Sequence, residues 1–281
     1  MIRTALRYHR PDAVSAAADL LAERLGEAVV LGGGTMLLPM MHRAEVAARD
    51  VIDLRGLGLA TVSDRGGWLE IGAMVTYNDV LESAVVAHHA PLLRLAASGI
   101  TGGEQIRNLG TLGGSACFAN PASDMPAVLV ALGATMRVYG AVGYREIAAA
   151  DFFRDAFTSA LALGELLVAI LVPHSADRYG YRKLELSAGS WPIVTAAAVG
   201  DPAGGRLAVT VGAAQAVPVR IDLSGVLDRD GRVDVGEIDA FVRDRIDDPW
   251  TDVLADGAYR RDVAGAVARR AVTDLIEGTT A

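Results

Sequence analysis

Cysteine is almost missing from the 281-residue chain. Cys117 stands alone, which excludes an internal disulfide framework and any Cys-ligated iron-sulfur cluster or Cys-rich zinc site built from this chain by itself. Any iron-sulfur cluster serving this chain would therefore have to come from another chain. Histidine is scarce as well. His9, His42, His88, His89 and His174 show neither an HExxH nor an HxH spacing that would aim two imidazoles at one ion, and they read as solvated or core residues. Positive charge is not in excess: 26 Lys and Arg against 34 Asp and Glu leave a formal charge of -8, without a basic stripe to neutralise the phosphates of a nucleic acid or an anionic membrane. The mean hydropathy is +0.31, yet no run of about 18 residues or more escapes glycine, polar or charged interruption, so no membrane span is expected. The opening MIRTALRYHRPDAV has basic residues without the apolar segment that a signal peptide places behind them, which makes the cytoplasm the expected compartment.

What the chain does have is apolar material, at 52% of residues, enough to bury a sizeable core and near the length at which one core starts to divide. Val14, Ala17, Leu20, Leu21 and Leu25 recur at helical spacing, and Gly26 closes the pattern. A strand, Ala28-Val29-Val30-Leu31, then runs into Gly32-Gly33-Gly34-Thr35, with a short helix beyond, and Val51-Ile52-Asp53-Leu54 reads as a second strand. The turn-rich Arg55-Gly56-Leu57-Gly58 marks a boundary. After it, residues 69–73 alternate as a strand, 78–86 and 91–98 read as helices, and Asp124-Met125-Pro126 opens a helix with Asp124 as the predicted N-cap. Strands follow at 135–139 and 166–172, and Pro173 to Arg178 forms the second boundary. Residues 181–186, 193–199 and 207–213 predict an antiparallel meander, and two helices finish the chain, the last with Arg260 and Arg269 facing outward or a partner. The expected architecture is α/β plus α+β: an N-terminal lobe at 1–57, a second lobe at 58–175, and a small C-terminal domain with an antiparallel sheet and helices at 176–281.

Two glycine clusters carry the chemistry: Gly32-Gly33-Gly34-Thr35 and Thr111-Leu112-Gly113-Gly114-Ser115. Paired glycines let backbone N–H groups approach a pyrophosphate and adopt positive φ, and neighbouring hydroxyls add donors without adding charge. Residues 32–37 read GGGTML, which is no GxGxxG fingerprint, and no Lys follows the glycines as in a Walker A loop. Taken singly, each glycine pair is more often an ordinary tight turn than a ligand cradle, so local composition does not decide the matter.

The longer context narrows it. Gln105 to Ser115, reading QIRNLGTLGGS, followed by Asn120-Pro121-Ala122-Ser123-Asp124-Met125-Pro126-Ala127, resembles the second FAD-binding signature of the molybdenum hydroxylase flavoproteins. Leu31 to Met41, reading LGGGTMLLPMM, is similar to their first signature, and Tyr181-Arg182-Lys183-Leu184 with Tyr259-Arg260-Arg261-Asp262-Val263 fits their C-terminal domain. The resemblance implies a two-lobed FAD-binding region. In it, Leu31, the backbone of Gly32, Gly33, Gly34, Thr35 and Met36, and that of Gly110, Thr111, Gly113, Gly114 and Ser115 would hold the pyrophosphate and ribityl chain. Asp124 and Lys183 match cofactor contacts and Leu167 an apolar one. Met36 departs from the small polar residue usual in the first signature, and Ser115 from the Asn or Asp usual in the second, which puts one or two side-chain hydrogen bonds in question while leaving the backbone donors.

Each side chain also has an ordinary reading: Asp124 as a helix cap alone, Lys183 as a solvated strand residue, Cys117 as a small buried residue, Tyr181 and Trp191 as core or interface. The family resemblance implies a subunit without acid-base machinery of its own. It would receive electrons from a [2Fe-2S] small subunit, which are drawn in turn from a molybdenum-cofactor large subunit, and pass them to an external acceptor. An independent NAD(P)H-dependent flavin reductase and a flavin-free assembly or nucleotide-binding module are the alternatives left open.

Overall fold

The computed structural model describes residues 5–175, 177–228 and 232–278; the first four residues of the opening segment and Ala176 in the second boundary lie outside them. The chain begins as a β-α-β-α-β unit: β1 (Arg7–His9), α1 (Val14–Glu23), β2 (Ala28–Leu31), α2 (Leu37–His42) and β3 (Asp50–Asp53). The strands are all parallel, in the order β1-β3-β2. Gly26, at φ +79°, turns the chain between α1 and β2. Ala17 and Ala18 of α1 pack on Ile52 and Leu54, small residues that let the helix lie close to the sheet. β1 escaped the pattern reading because it is only three residues long, largely exposed and polar. Side chains hold it instead: Arg7 donates to both oxygens of buried Asp50 at 2.8 and 2.6 Å, His9 meets Asp50 at 2.7 Å, and Tyr8 donates to Asp53.

The middle lobe contains β4 (Val62–Asp64), β5 (Trp68–Gly72), α3 (Tyr77–Glu82), α4 (Ala84–His89), α5 (Pro91–Ser98), α6 (Gly103–Leu109), α7 (Leu112–Phe118), α8 (Asp124–Ala131), β6 (Thr135–Gly140), β7 (Gly143–Ala148), α9 (Ala149–Phe152), the short pair β8 (Phe153–Asp155) and β9 (Thr158–Ser159), and β10 (Leu166–Pro173). Its main sheet, β4-β5-β10-β6-β7, is antiparallel throughout. β10 lies at its centre, and its residues 166–172 are all buried, as a continuous apolar run requires. The predicted helix over 78–86 is two helices. Ser83 has extended backbone (φ -73°, ψ 112°), and its Oγ accepts from Val86 N, so one serine ends α3 and caps α4. α8 is buried at every position, which fits its lack of polar residues after Asp124.

The C-terminal domain is a four-stranded meander, β11 (Arg178–Glu185), β12 (Pro192–Asp201), β13 (Arg206–Gly212) and β14 (Val219–Asp222), followed by α10 (Val235–Arg243) and α11 (Gly257–Glu277). β12 is buried on both faces: Ala197 joins the core of the middle lobe, whereas Ala196 and Ala198 join the core under α11. A Cβ on Gly180 would lie 2.0 Å from the Ala271 carbonyl oxygen, which shows how closely α11 packs on β11. The expected outward position of Arg260 is corrected here. The side chain is fully buried, donates to the carbonyls of Ile193 and Ala213, and pairs with Asp252 at 2.5 Å. It sits in the first turn of α11, where carbonyls between the strands and the helix need donors, and the helical pattern gave no sign of that demand. Arg269 stays partly exposed, paired with Asp239 at 2.8 Å. The architecture is otherwise the expected α/β plus α+β arrangement, and no helix among the described residues is long and apolar enough to cross a membrane.

Candidate FAD site

The first glycine cluster links β2 to α2. None of the N–H groups of residues 32–36 is taken up by an acceptor among the described residues, although all five residues are half-buried. Five successive donors without a protein acceptor in a half-buried turn are available to an anion or to water. Of these glycines only Gly34 has positive φ, at +73°. Gly33 is glycine for another reason: a Cβ there would lie 1.7 Å from the Leu109 carbonyl oxygen. A Cβ on Gly32 would lie 3.2 Å from Thr111 Oγ1. The two signature segments therefore touch, backbone against backbone.

The second segment is built differently. Gly110 N donates to Ile106 O at 2.6 Å, Leu112 N to Val75 O at 2.9 Å, Gly113 N to Ala73 O at 3.0 Å, and Ser115 N to Thr111 O at 3.0 Å. Thr111 caps α7 by accepting from Gly114 N at 3.0 Å. These donors are already committed, so this segment acts as a buttress: it welds residues 73–77 to α7 and presents Leu109 O and Thr111 to the first cluster. Gly113 must lack a Cβ because one would meet Ala73 O at 2.5 Å, while Gly114 is exposed. The Ser115 hydroxyl is bonded to Tyr77 OH.

Asp124 does not cap α8. Ser123 occupies the N-cap position, and Asp124 is the first helical residue, 1% exposed, with its carboxylate accepting from Tyr181 OH at 2.6 Å. Lys183 Nζ stands 3.8 Å from that carboxylate, 3.0 Å from Glu185, and donates to Gly99 O at 2.6 Å. Burial pushes the Asp124 carboxyl up against the opposing attraction of Lys183 and the Tyr181 hydrogen bond. Burial also raises the Tyr77 and Tyr181 hydroxyls, so both remain protonated donors at neutral pH. Tyr181, Lys183 and Glu185 alternate along β11, which places them on one face; that period of two was the available signal for Glu185. Nothing in the sequence pointed to Tyr77, whose role depends on its hydroxyl meeting Ser115 of α7.

Leu31 ends β2, half-buried and packed with Met41, Ala48 and Val51. Leu167 is buried within the main core and pairs with Val138, so it serves that core. Cys117 is half-buried with its thiol pushed up to about 12 by burial, which leaves it protonated and inert.

A model of the FAD-binding domain of molybdopterin dehydrogenases matches residues 4–175. The chain belongs to this family. It is an FAD-binding medium subunit of the molybdenum hydroxylase type and an oxidoreductase subunit, with FAD as its cofactor. Among similar proteins is the carbon monoxide dehydrogenase medium chain of Afipia carboxidovorans, 32% identical over 280 residues that span 97% of each chain. Two solved structures share the fold over nearly the whole length. The carbon monoxide dehydrogenase from Hydrogenophaga pseudoflava that lacks the Mo-pyranopterin moiety of its molybdenum cofactor has a TM-score of 0.92 at 28% identity, covering 99% of each chain. Quinoline 2-oxidoreductase from Pseudomonas putida 86 has a TM-score of 0.91 at 27% identity, covering 100% of each chain.

Proposed function

We propose that residues 32–36 hold the diphosphate of FAD through their free N–H groups, and that the subunit relays electrons between an iron-sulfur partner and an external acceptor. The run of five uncommitted donors beside a close-packed second segment is the observation that carries this reading. A diphosphate needs donors more than cations here, and the turn supplies them without a lysine. Thr35 and Met36 contribute backbone donors, Leu31 anchors the turn, and the second segment, 110–115, fixes its shape and offers Gly114 at the surface. Asp124, Tyr181 and Lys183 form a polar wall in which burial keeps the Tyr181 hydroxyl protonated as a donor, suited to orienting a polar ring edge.

FAD, when bound, supplies both one- and two-electron redox chemistry. With a single cysteine the chain provides no cluster of its own, so the donor is a [2Fe-2S] small subunit, itself fed by a molybdenum-cofactor large subunit, within a cytoplasmic complex. The same reading divides the chain into working units at 1–57, 58–175 and 176–281. The test is to reduce the assembled complex with its organic substrate while following flavin absorbance, then to omit the iron-sulfur chain. Loss of flavin reduction with FAD still bound is expected. Unchanged reduction without that chain would sink the relay.

A further inference from the structure

Away from the polar wall around Asp124, the fold brings together three residues that are far apart in sequence. Asp64 is the last residue of β4, His89 the last of α4, and His174 follows β10 directly. His174 Nε2 lies 3.3 Å from Asp64 Oδ1 and His89 Nε2 lies 3.4 Å from Asp64 Oδ2, so each imidazole faces its own oxygen of one carboxylate. The ligand atoms of all three residues lie within 4.8 Å of one another; the two rings stack at 3.8 Å between centroids and 10° between planes, so one ring must turn about its Cβ–Cγ bond for both nitrogens to aim at one ion. We propose that Asp64, His89 and His174 bind one divalent transition-metal ion of the zinc class, which ties the β4–β5 turn, α4 and the end of β10 together.

The distances and the unpaired nitrogen favour a metal site over a hydrogen-bonded cluster. Charge-assisted N–H···O bonds run at about 2.7–2.9 Å, and both contacts here are longer. His174 Nε2 is buried with no hydrogen-bond partner among the described residues, which is costly for an imidazole nitrogen left as it stands. Two ligand atoms each about 2.1 Å from a tetrahedral ion stand about 3.4 Å apart, close to the 3.3 and 3.4 Å N···O separations, although these involve the two different oxygens of the carboxylate, one of which would serve as the ligand. The backbone is already fixed: His174 N donates to Gly67 O at 2.9 Å, and Gly66 N donates to Asp64 Oδ1 at 2.8 Å, so the turn holds the carboxylate toward the rings. Two imidazoles with one carboxylate favour zinc-class ions over magnesium or calcium, which take oxygen ligands. The side chains are 24%, 25% and 42% exposed for His89, His174 and Asp64, so an ion can reach the site and a water can complete its shell. The site joins segments of the middle sheet and involves no residue proposed to hold FAD, so it stands independently of the flavin reading.

The test uses the full chain, stripped with chelator and titrated with zinc chloride by calorimetry, with Co(II) as a spectroscopic probe. One equivalent should bind, Co(II) should give the visible absorption of a four-coordinate site, and zinc should raise the unfolding temperature. His174→Ala and Asp64→Asn should each weaken zinc binding at least tenfold while keeping FAD content, whereas His88→Ala, whose ring contacts His89 edge-on from outside the triad, should bind as wild type does. If His174→Ala fails to fold, Asp64→Asn and wild-type stoichiometry still decide. Less than stoichiometric binding by the wild type, or equal affinity in wild type and variants, would overturn the proposal.

Discussion

Gly33 is the position where a single methyl group should do the most damage. A Cβ at residue 33 would lie 1.7 Å from Leu109 O and 2.7 Å from Leu109 C. Ordinary C···O contacts start at about 3.3 Å, so Gly33→Ala must drive the two segments apart by roughly 1.5 Å. The obstacle is backbone, which cannot rotate away as a side chain would. The overpacking cost is about 1–3 kcal/mol, and it falls on the turn whose free N–H groups are proposed to hold the diphosphate. A displacement of that size spoils several hydrogen bonds at once, so FAD affinity should drop by about 10- to 100-fold, or about 1.4–2.7 kcal/mol. Gly114→Ala provides the contrast. Its Cβ meets only Thr111 Oγ1, at 2.8 Å, a side chain whose displacement costs a helix cap worth about 1 kcal/mol. Neither glycine has positive φ, so packing and not backbone strain sets this order. Fluorescence titration of the apo-chain with FAD, alongside thermal unfolding, reads both quantities. A Gly33→Ala chain that binds FAD within twofold of wild type with an unshifted transition would refute the reasoning.

Three further outcomes follow from the same structure. Asp53 is held near about 2: burial opposes ionisation, but the hydrogen bonds from Arg55 and Tyr8 outweigh it. Since its folded value lies below the unfolded one, it contributes stability fully above about pH 4 and loses it as pH falls toward 2; the loss, of order 1–2 kcal/mol, should appear in acid unfolding curves and shrink in Asp53→Asn. Asp124 runs the other way: burial raises it, so its contribution to stability declines as pH climbs above about 4 through its folded value, and Asp124→Asn should flatten urea-unfolding stability across that window. Arg260→Met leaves the carbonyls of Ile193 and Ala213 and the Asp252 carboxylate without their donor. It should cost about 3–5 kcal/mol in urea unfolding, and a loss under about 1 kcal/mol would contradict the account.

Where local chemistry alone decides structure, the sequence was legible. The strand into the first glycine cluster, the buried run of β10, the meander and the two closing helices all follow from periodicity and turn residues. The edge strands β1, β7 and β14 were missed because they are short or polar on their exposed faces, so no apolar alternation marks them. α6 and α7 were hidden because glycines and polar residues interrupt any apolar stripe, and α7 is held by Val75, Ala73 and the Thr111 cap instead. The glycine clusters were visible as candidate cradles, but their division of labour was not. Which glycine faces a carbonyl, and which amides are already spent, depends on residues 73–77 and 109 arriving from elsewhere. The same limit hid the burial of Arg260, the Tyr77–Ser115 contact and the meeting of Asp64 with His89 and His174, since each is made by tertiary packing and leaves no spacing behind.

The central claim, that free amides of residues 32–36 grip the diphosphate, is tested most directly by titrating the apo-chain in parallel with FAD and riboflavin, which share the ring but not the diphosphate. FAD should bind at least 100-fold more tightly than riboflavin, and Gly33→Ala should reduce FAD affinity while leaving the weak riboflavin binding nearly unchanged. Equal affinity for the two ligands would show that the ring alone holds the cofactor and that this turn is only a connection between β2 and α2.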